Sequence, residues 1–465
     1  MKTCIAVILL MLVGVAHADG LDEAIRAEMA REQIPGLTFA VVRHGEIVRE
    51  GAYGYADLEW NARTTLDTRF EVASVSKMIA GAAVRILIEE GKVSPEDPVG
   101  KFFGDLPPAW AGMKIRHLYT MSSGLPEDFG AQQIPYDRDV VFPDDDASTL
   151  KEFKSLKRVA PVGERFSYSS PNFQMLGMIV ARVSGMPYAE FVRKRIFAPA
   201  GMSDSSIIDN SAVVPHKAQG YRKDHGVLKH GWFLGRYLHS RADDAVLSTA
   251  RDYAKFVIAL QMGRIVRDPG ALWQATVSDA GRPLDYSYGW DTDTWLGHRR
   301  QGHSGGYRTG FHTYVARYPD DDLSVIVFTN CDFSQIRDYV GLLTRAYLTD
   351  VPDPAQESSR ADADPAETRH LAGVLAGLAH GKLDESAMEA NAVEPVGIAE
   401  VQDFLQHAGA FSFAGRRTMG GAGLHMHGLD LVDYETLKTT IDGEIHYLTL
   451  YREKNGKVGY IELTN

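Results

Sequence analysis

Two hydrophobic periods alternate along this chain and lay out its elements. Leu21, Ile25 and Met29 recur at helical spacing over residues 21–33, and Pro35-Gly36 ends that helix. Leu37, Phe39 and Val41 then alternate with small or polar neighbours. His44-Gly45 marks a turn, and a return strand opens at Ile47-Val48 and runs on through 51–57. Next, Met78/Ile79, Ala82/Ala83 and Ile86/Leu87 repeat every four residues up to Gly91, the pattern of a buried helix face. A short helix over 115–125 closed by Gly124, helices over 171–184 and 188–196, and a capped helix from Thr249-Ala250-Arg251-Asp252 to about Leu260 follow. Segments 286–290, 310–318 and 323–329 read as strands, the last two joined by the turn Pro319-Asp320-Asp321-Asp322. Ile336, Val340, Leu343 and Tyr347 mark a closing helix. Strands at both ends with helices between them predict an α+β fold, with one antiparallel sheet built from both ends of the domain and flanked by helices, plus a helical subdomain.

Two stretches lack a period. Residues 126–150 are acidic and long enough for a lid or binding loop, and 207–245 give no consistent pattern. Residues 350–367, rich in Asp, Pro, Ser and Ala, read as a linker. Beyond it, Leu371, Val374, Leu375 and Leu378 predict one amphipathic helix and 398–405 another. Strands are expected near 429–437, 445–451 and 457–463, with hairpin turns at Asp442-Gly443 and Asn455-Gly456. The expected organisation is a main domain over 19–349, a linker over 350–367 and a small α+β accessory domain over 368–465.

The ends and the charge add to this. Lys2, the apolar run from Ile5 to Val15 and the small residues of Ala16-His17-Ala18 predict a secretory signal peptide over 1–18 and a periplasmic or secreted product. No other stretch approaches the length of a membrane span. Cleavage would remove Cys4 and leave Cys331 with no partner in the chain. Of the 465 residues, 45% are hydrophobic and 24% charged, an ordinary globular composition. The net charge of −12 argues against a nucleic-acid partner.

The chemistry centres on Phe70-Glu71-Val72-Ala73-Ser74-Val75-Ser76-Lys77, which runs into the helix just described. Residues three apart on a helix share a face, so the Ser74 hydroxyl and Lys77 amine can meet and form an activated nucleophile. Burial and the helix dipole would favour the neutral amine this requires. Ser148-Thr149-Leu150-Lys151 fits the same S-x-x-K spacing, but it sits in an acidic stretch with no such helix expected. Gly302-His303-Ser304-Gly305-Gly306 fits the G-x-S-x-G nucleophile elbow. Its flanks lack the preceding buried strand and following helix which that motif needs, so Ser304 is not expected to be the nucleophile.

Ser74-Val75-Ser76-Lys77, then Tyr168-Ser169-Ser170 ahead of Pro171-Asn172, then His303-Ser304-Gly305-Gly306, in this order, resemble the serine β-lactamase and penicillin-binding-protein superfamily. The nearer likeness is to the branch of class C β-lactamases, D-peptidases and related esterases, over about residues 20–350. That resemblance implies Ser74 as nucleophile and Lys77 and Tyr168 sharing the acid–base work, in an order left open. It implies Ser170, His303, Ser304, Gly305 and Gly306 at the substrate, with the N–H groups of Ser74 and Gly306 as oxyanion hole. It implies no metal or organic cofactor. Two departures stand out. Ser170 replaces the family's asparagine, and His303 replaces a lysine whose charge would bind a substrate carboxylate. They shift the expectation towards small esters or D-amino-acid amides and peptides. A class C-like β-lactamase, a D-Ala-D-Ala carboxypeptidase and a non-catalytic penicillin-recognising protein remain the alternatives. Arg308 is a candidate carboxylate anchor, though a solvated surface role is the simpler reading, and Asn172 is expected to be structural. The C-terminal module loosely resembles the lipocalin-like appendages of this family. His425 and His427 share a strand face there without a third ligand, so ordinary surface histidines are expected.

Overall fold

The computed structural model describes residues 20–464 apart from 127–144, 210, 225, 233–241, 296, 308, 350, 352–361, 363, 390–391, 393–397, 419–423, 427–428 and 442–443. The expected signal peptide, most of the acidic loop, Arg308, His427 and the Asp442-Gly443 turn lie outside the described residues.

Helix α1 (20–32) leads into β1 (Gly36–Arg43), which pairs with β2 (Glu46–Asp57), and that with the short β3 (Ala62–Arg63). The later strands are β4 (Tyr286–Ser287), β5 (Trp290–Trp295), β6 (His298–Tyr307), β7 (Phe311–Tyr318) and β8 (Leu323–Thr329). All join one eight-stranded antiparallel sheet in the order β4-β5-β6-β7-β8-β1-β2-β3. The sheet closes where the two ends of the domain meet, β1 against β8 from Leu37↔Thr329 to Arg43↔Leu323. This is the antiparallel sheet built from both ends that the sequence predicts.

Both faces of the sheet are buried. Ala40, Val42, Ile326 and Phe328 face a layer of helices: α2 (Ser76–Glu89), α3 (Ser170–Ser184) and α4 (Ala250–Gln261). Leu37, Phe39, Val41, Val325 and Val327 face α1 and α5 (Ile336–Arg345). Burial on two sides explains why β8 reads as an almost continuous apolar run instead of an alternating one. Helix α2 is likewise buried on nearly every side, from Ser76 through Val84.

Several expectations need correction. Segment 286–290 is not one strand but a hairpin: Ser287 pairs with Trp290, and Tyr288 and Gly289 both have positive φ (50° and 85°). Two such residues in a row make the tight turn that matches strand twist, a conformation glycine takes without strain and tyrosine does not. The motif His303–Gly306 lies within strand β6 instead of ahead of a strand. Residues 146–155 form a helix where no structure was expected. Asp145 caps it through Ser148, whose hydroxyl bonds that carboxylate at 2.7 Å while Lys151 is exposed, so this serine and lysine do not assemble. The last residues of the expected linker, Pro365 to Glu367, are the first turn of helix α6 (Pro365–Ala379), capped by Asp364.

The C-terminal region has its own core. Leu371, Val374, Leu375 and Leu378 of α6, with Val401 and Leu405 of α7 (Ile398–His407), pack on Leu437, Leu448, Leu450 and Ile461. Those last residues belong to a five-stranded antiparallel sheet of β9 (Ser412–Thr418), β10 (Leu424–Met426), β11 (Leu429–Ile441), β12 (Glu444–Glu453) and β13 (Val458–Thr464). Its β10 backbone runs close to β5 of the large sheet.

Two features of the large sheet make testable demands. A Cβ on Gly81 of α2 would fall 1.9 Å from the Tyr288 carbonyl oxygen, a backbone atom that cannot swing away. Gly81→Ala is therefore expected to lower stability by about 1–3 kcal/mol, read as a lower thermal midpoint with reduced activity. Behind β5, Arg300 and Asp293 form a buried two-pronged pair at 2.9 and 2.6 Å. Burial, with Asp293 close by, pushes the Asp291 carboxyl up to about 7. A carboxyl raised on folding stabilises the fold below its unfolded value and loses that contribution as pH rises towards 7. Asp291→Asn should therefore flatten the fall in unfolding midpoint between pH 4 and 7, and be the more stable protein at pH 8 by ~1 kcal/mol or more.

Candidate active site

Ser74 sits in a 3-10 turn, Ala73–Val75, that leads into α2. Its neighbours in the turn are buried while Ser74 itself is partly exposed, so the hydroxyl is what the turn presents. Ala73 holds φ at +48°, a conformation costing on the order of 1 kcal/mol that persists only when its surroundings impose it. They do so from several sides. The Val72 N–H donates to the Val246 carbonyl at 2.9 Å, and the Val246 N–H donates to Ser76 Oγ at 3.0 Å. The Tyr253 hydroxyl donates to the Val75 carbonyl at 2.6 Å, and the Thr313 hydroxyl to the Val72 carbonyl at 2.8 Å.

Lys77, the second residue of α2, is wholly buried. Its Nζ lies 3.0 Å from Ser74 Oγ, 3.2 Å from Ser170 Oγ and 3.2 Å from the Asp243 carbonyl oxygen. The same nitrogen stands 5.0 Å from the centre of the Tyr168 ring. An ammonium can donate to all three oxygens. A neutral amine can donate to the Asp243 carbonyl and to Ser170 while accepting from the Ser74 hydroxyl. The geometry thus suits both protonation states of a base, and the aromatic face favours the charged one once it forms.

Ser170 opens helix α3 and is almost completely buried, its hydroxyl on Lys77. Pro171 fits the first turn of that helix because its missing N–H would have had no partner there. Asn172 is fully buried, accepts from the Ser123 hydroxyl at 2.6 Å and donates to Met121 Sδ at 3.4 Å. These contacts anchor the segment that carries Tyr168 and Ser170.

The third group arrives on β6. In sheet order this strand is internal, but its pairing with β5 runs only from His298 to Gly302. Among the described residues, from His303 to Tyr307 it pairs with β7 alone, so a local sheet edge lies beside Ser74. Gly305 makes that approach possible: a Cβ there would lie 2.4 Å from the Val72 carbonyl oxygen and 3.1 Å from the Ser74 nitrogen. Ser304 sits mid-strand opposite Tyr314, without the strand-to-helix turn of a nucleophile elbow. The His303 ring is centred 6.0 Å from that of Tyr168, and its Nε2 is 3.0 Å from the Tyr286 hydroxyl.

Sequence reasoning places Ser74, Lys77, Tyr168, Ser170 and His303–Gly306, and the structure brings them together. It misses Asp243, Tyr253, Tyr286 and Thr313. Asp243 acts through its backbone carbonyl, which no side-chain pattern can announce. Tyr253 and Tyr286 had indirect signals, in the capped helix to Leu260 and in the strand expected over 286–290. Among the described residues, the carboxylates Glu28, Glu32 and Asp338 lie at metal-ligand spacing, but Arg31 pairs with Glu28 and Glu32, which makes them an ion-pair cluster.

A family model described as Beta-lactamase matches residues 21–348. Penicillin-binding protein 4* of Bacillus subtilis (strain 168) is similar at 26% identity over 316 residues, 64% of this chain and 69% of that one. A D-aminopeptidase of Brucella ovis is 29% identical over 307 residues, 64% of this chain but only 56% of its own length. Among solved structures, the octameric penicillin-binding protein homologue from Pyrococcus abyssi superposes with a TM-score of 0.62 at 22% identity, covering 96% of this chain and 98% of that one, a likeness of fold. The family match takes in the whole large sheet and every residue gathered around Ser74: the chain belongs to the β-lactamase family, within the superfamily of serine hydrolases that holds the β-lactamases and penicillin-binding proteins.

Proposed function

We propose that this protein is an exported serine hydrolase that forms an acyl-enzyme on Ser74 and acts on small esters or D-amino-acid amides and peptides. The observation that carries the reading is the 3.0 Å contact between the buried Lys77 amine and Ser74 Oγ. In the proposed reaction Lys77 takes the hydroxyl proton as Ser74 Oγ attacks the acyl carbon. The N–H groups of Ser74 and Gly306 hold the oxyanion, and preorganised donors of this kind supply a large part of such rate enhancements. The tetrahedral intermediate collapses as the leaving oxygen or nitrogen receives a proton by way of Tyr168. Water then attacks the acyl carbon as the Lys77–Tyr168 pair takes one of its protons, and the pair passes that proton to Ser74 Oγ as the acid product leaves. No cofactor takes part.

Two things support the substrate class. One is the absence of a lysine at His303; the other is the likeness to a protein named a D-aminopeptidase. Export rests on residues 1–18 of the sequence. The likeness to a protein named penicillin-binding protein 4* keeps a second reading alive, in which the same acylation occurs on a penicillin and release is slow.

The mature protein mixed with a short p-nitrophenyl ester, quenched in acid and mapped by peptide mass, is expected to carry the acyl group on the Ser74 peptide with steady p-nitrophenol release. A single burst without turnover would favour the second reading, and acyl on Ser304 would overturn the assignment. Ser74→Ala should abolish the adduct, and Lys77→Ala should lower kcat/KM by about 10²–10⁴. Ser170→Ala, which removes one of the hydrogen bonds of the buried Lys77 amine, should cost about 10–100-fold in kcat/KM and lower stability by about 1–3 kcal/mol.

A further inference from the structure

Beside the nucleophile lies a second hydrogen-bonded pair that the acylation steps do not use. Tyr286 of β4 sets its hydroxyl 3.0 Å from His303 Nε2, while His303 Nδ1 lies against the Ser304 carbonyl oxygen. A carbonyl only accepts, so Nδ1 carries a hydrogen. In the neutral ring Nε2 is then the acceptor, and the Tyr286 O–H the donor. Both ring nitrogens are thereby satisfied with no net charge. The two side chains are 3% and 1% exposed. The Tyr286 ring meets His303 and Tyr168 edge-on at 5.6 and 6.3 Å, and Phe173 edge-on at 6.2 Å. In such surroundings a charged imidazolium would be costly to hold.

We infer that Tyr286 is a positioning residue that fixes His303 as its neutral Nδ1–H tautomer, and that through this clamp the site selects acyl substrates lacking a carboxylate near the scissile bond. The first half stands on the hydrogen-bond geometry; the second rests on the reading of Ser74 as nucleophile. The physical reason for the selection is direct. A neutral imidazole with both nitrogens engaged offers an incoming anion neither charge nor N–H. Lys77 nearby already has its hydrogen bonds engaged by Ser74, Ser170 and the Asp243 carbonyl, whichever protonation state it holds. A carboxylate entering beside His303 would give up hydration and gain from this ring neither charge nor N–H, which is unfavourable.

The test has two arms on the full mature chain. In the first, ring-¹⁵N-histidine protein is examined by long-range ¹H–¹⁵N correlation at pH 6.5, with His303→Gln identifying the resonance. The expected spectrum shows a protonated Nδ1 and an unprotonated, hydrogen-bonded Nε2, a pattern lost in Tyr286→Phe. A wild-type ring protonated at both nitrogens, or a resonance unchanged in Tyr286→Phe, overturns the clamp. In the second arm, kcat/KM is compared for p-nitrophenyl pentanoate and mono-p-nitrophenyl succinate, which differ in the terminal group. Wild type should prefer the neutral ester by about tenfold or more. In Tyr286→Phe the Nε2 acceptor is released, so the ring can take the Nε2–H tautomer and offer an anion an N–H, and the preference should narrow at least about threefold. An unchanged ratio overturns the selectivity. If wild type cleaves neither ester, the proposed hydrolase activity on esters fails, while the spectrum still decides the tautomer.

Discussion

Everything at this site depends on how closely backbone can lie against backbone around the first turn of α2. The Tyr288-Gly289 turn rests on α2, where Gly81 leaves room for the Tyr288 carbonyl. On the other side Gly305 lets β6 approach Val72 and the Ser74 amide. Side chains at these positions would push the sheet off the helix by an ångström or more. Ser74 would then lose the strand it lies beside, because oriented donors act only over hydrogen-bond distances. Packing of this kind is dense and hard to deform, so it can hold a strained residue such as Ala73 in place.

That constraint sets the electrostatics of the centre. Lys77 is buried, and a buried amine must have its hydrogen bonds met whichever protonation state it adopts. Two hydroxyls and one carbonyl meet them: Ser74, Ser170 and Asp243. Ser170 therefore has a role that its place in the sequence does not reveal. A residue expected at the substrate is also a partner of the base. A similar economy governs His303, where Tyr286 and the Ser304 carbonyl complete the imidazole.

Much of the fold is legible in the chain. The pairing of β1 with β8 follows from apolar segments at both ends of the main domain, and α2 from its four-residue repeat. The failures have local causes. The 286–290 hairpin hides because its turn forces a positive φ on Tyr288, a residue that ordinarily continues a strand. Strand β6 hides behind Arg299, Arg300 and Gln301, whose polarity reads as loop. Yet Arg300 is buried because Asp293 on the neighbouring strand pairs with it.

The sequence by itself determined which groups the proposed chemistry rests on. A serine and a lysine three apart at a helix start must share a face, and the order of the three motifs marks the family. Only the tertiary structure decided what surrounds those groups: the Asp243 carbonyl on Lys77, the Thr313 hydroxyl on the Val72 carbonyl ahead of Ser74 and the Tyr286 hydroxyl on His303. The reason is range. A helix fixes neighbours within one turn through its own hydrogen bonds. Contacts between residues as far apart as 72 and 313 exist only after the sheet closes, and many sequences can supply a suitable oxygen once it has.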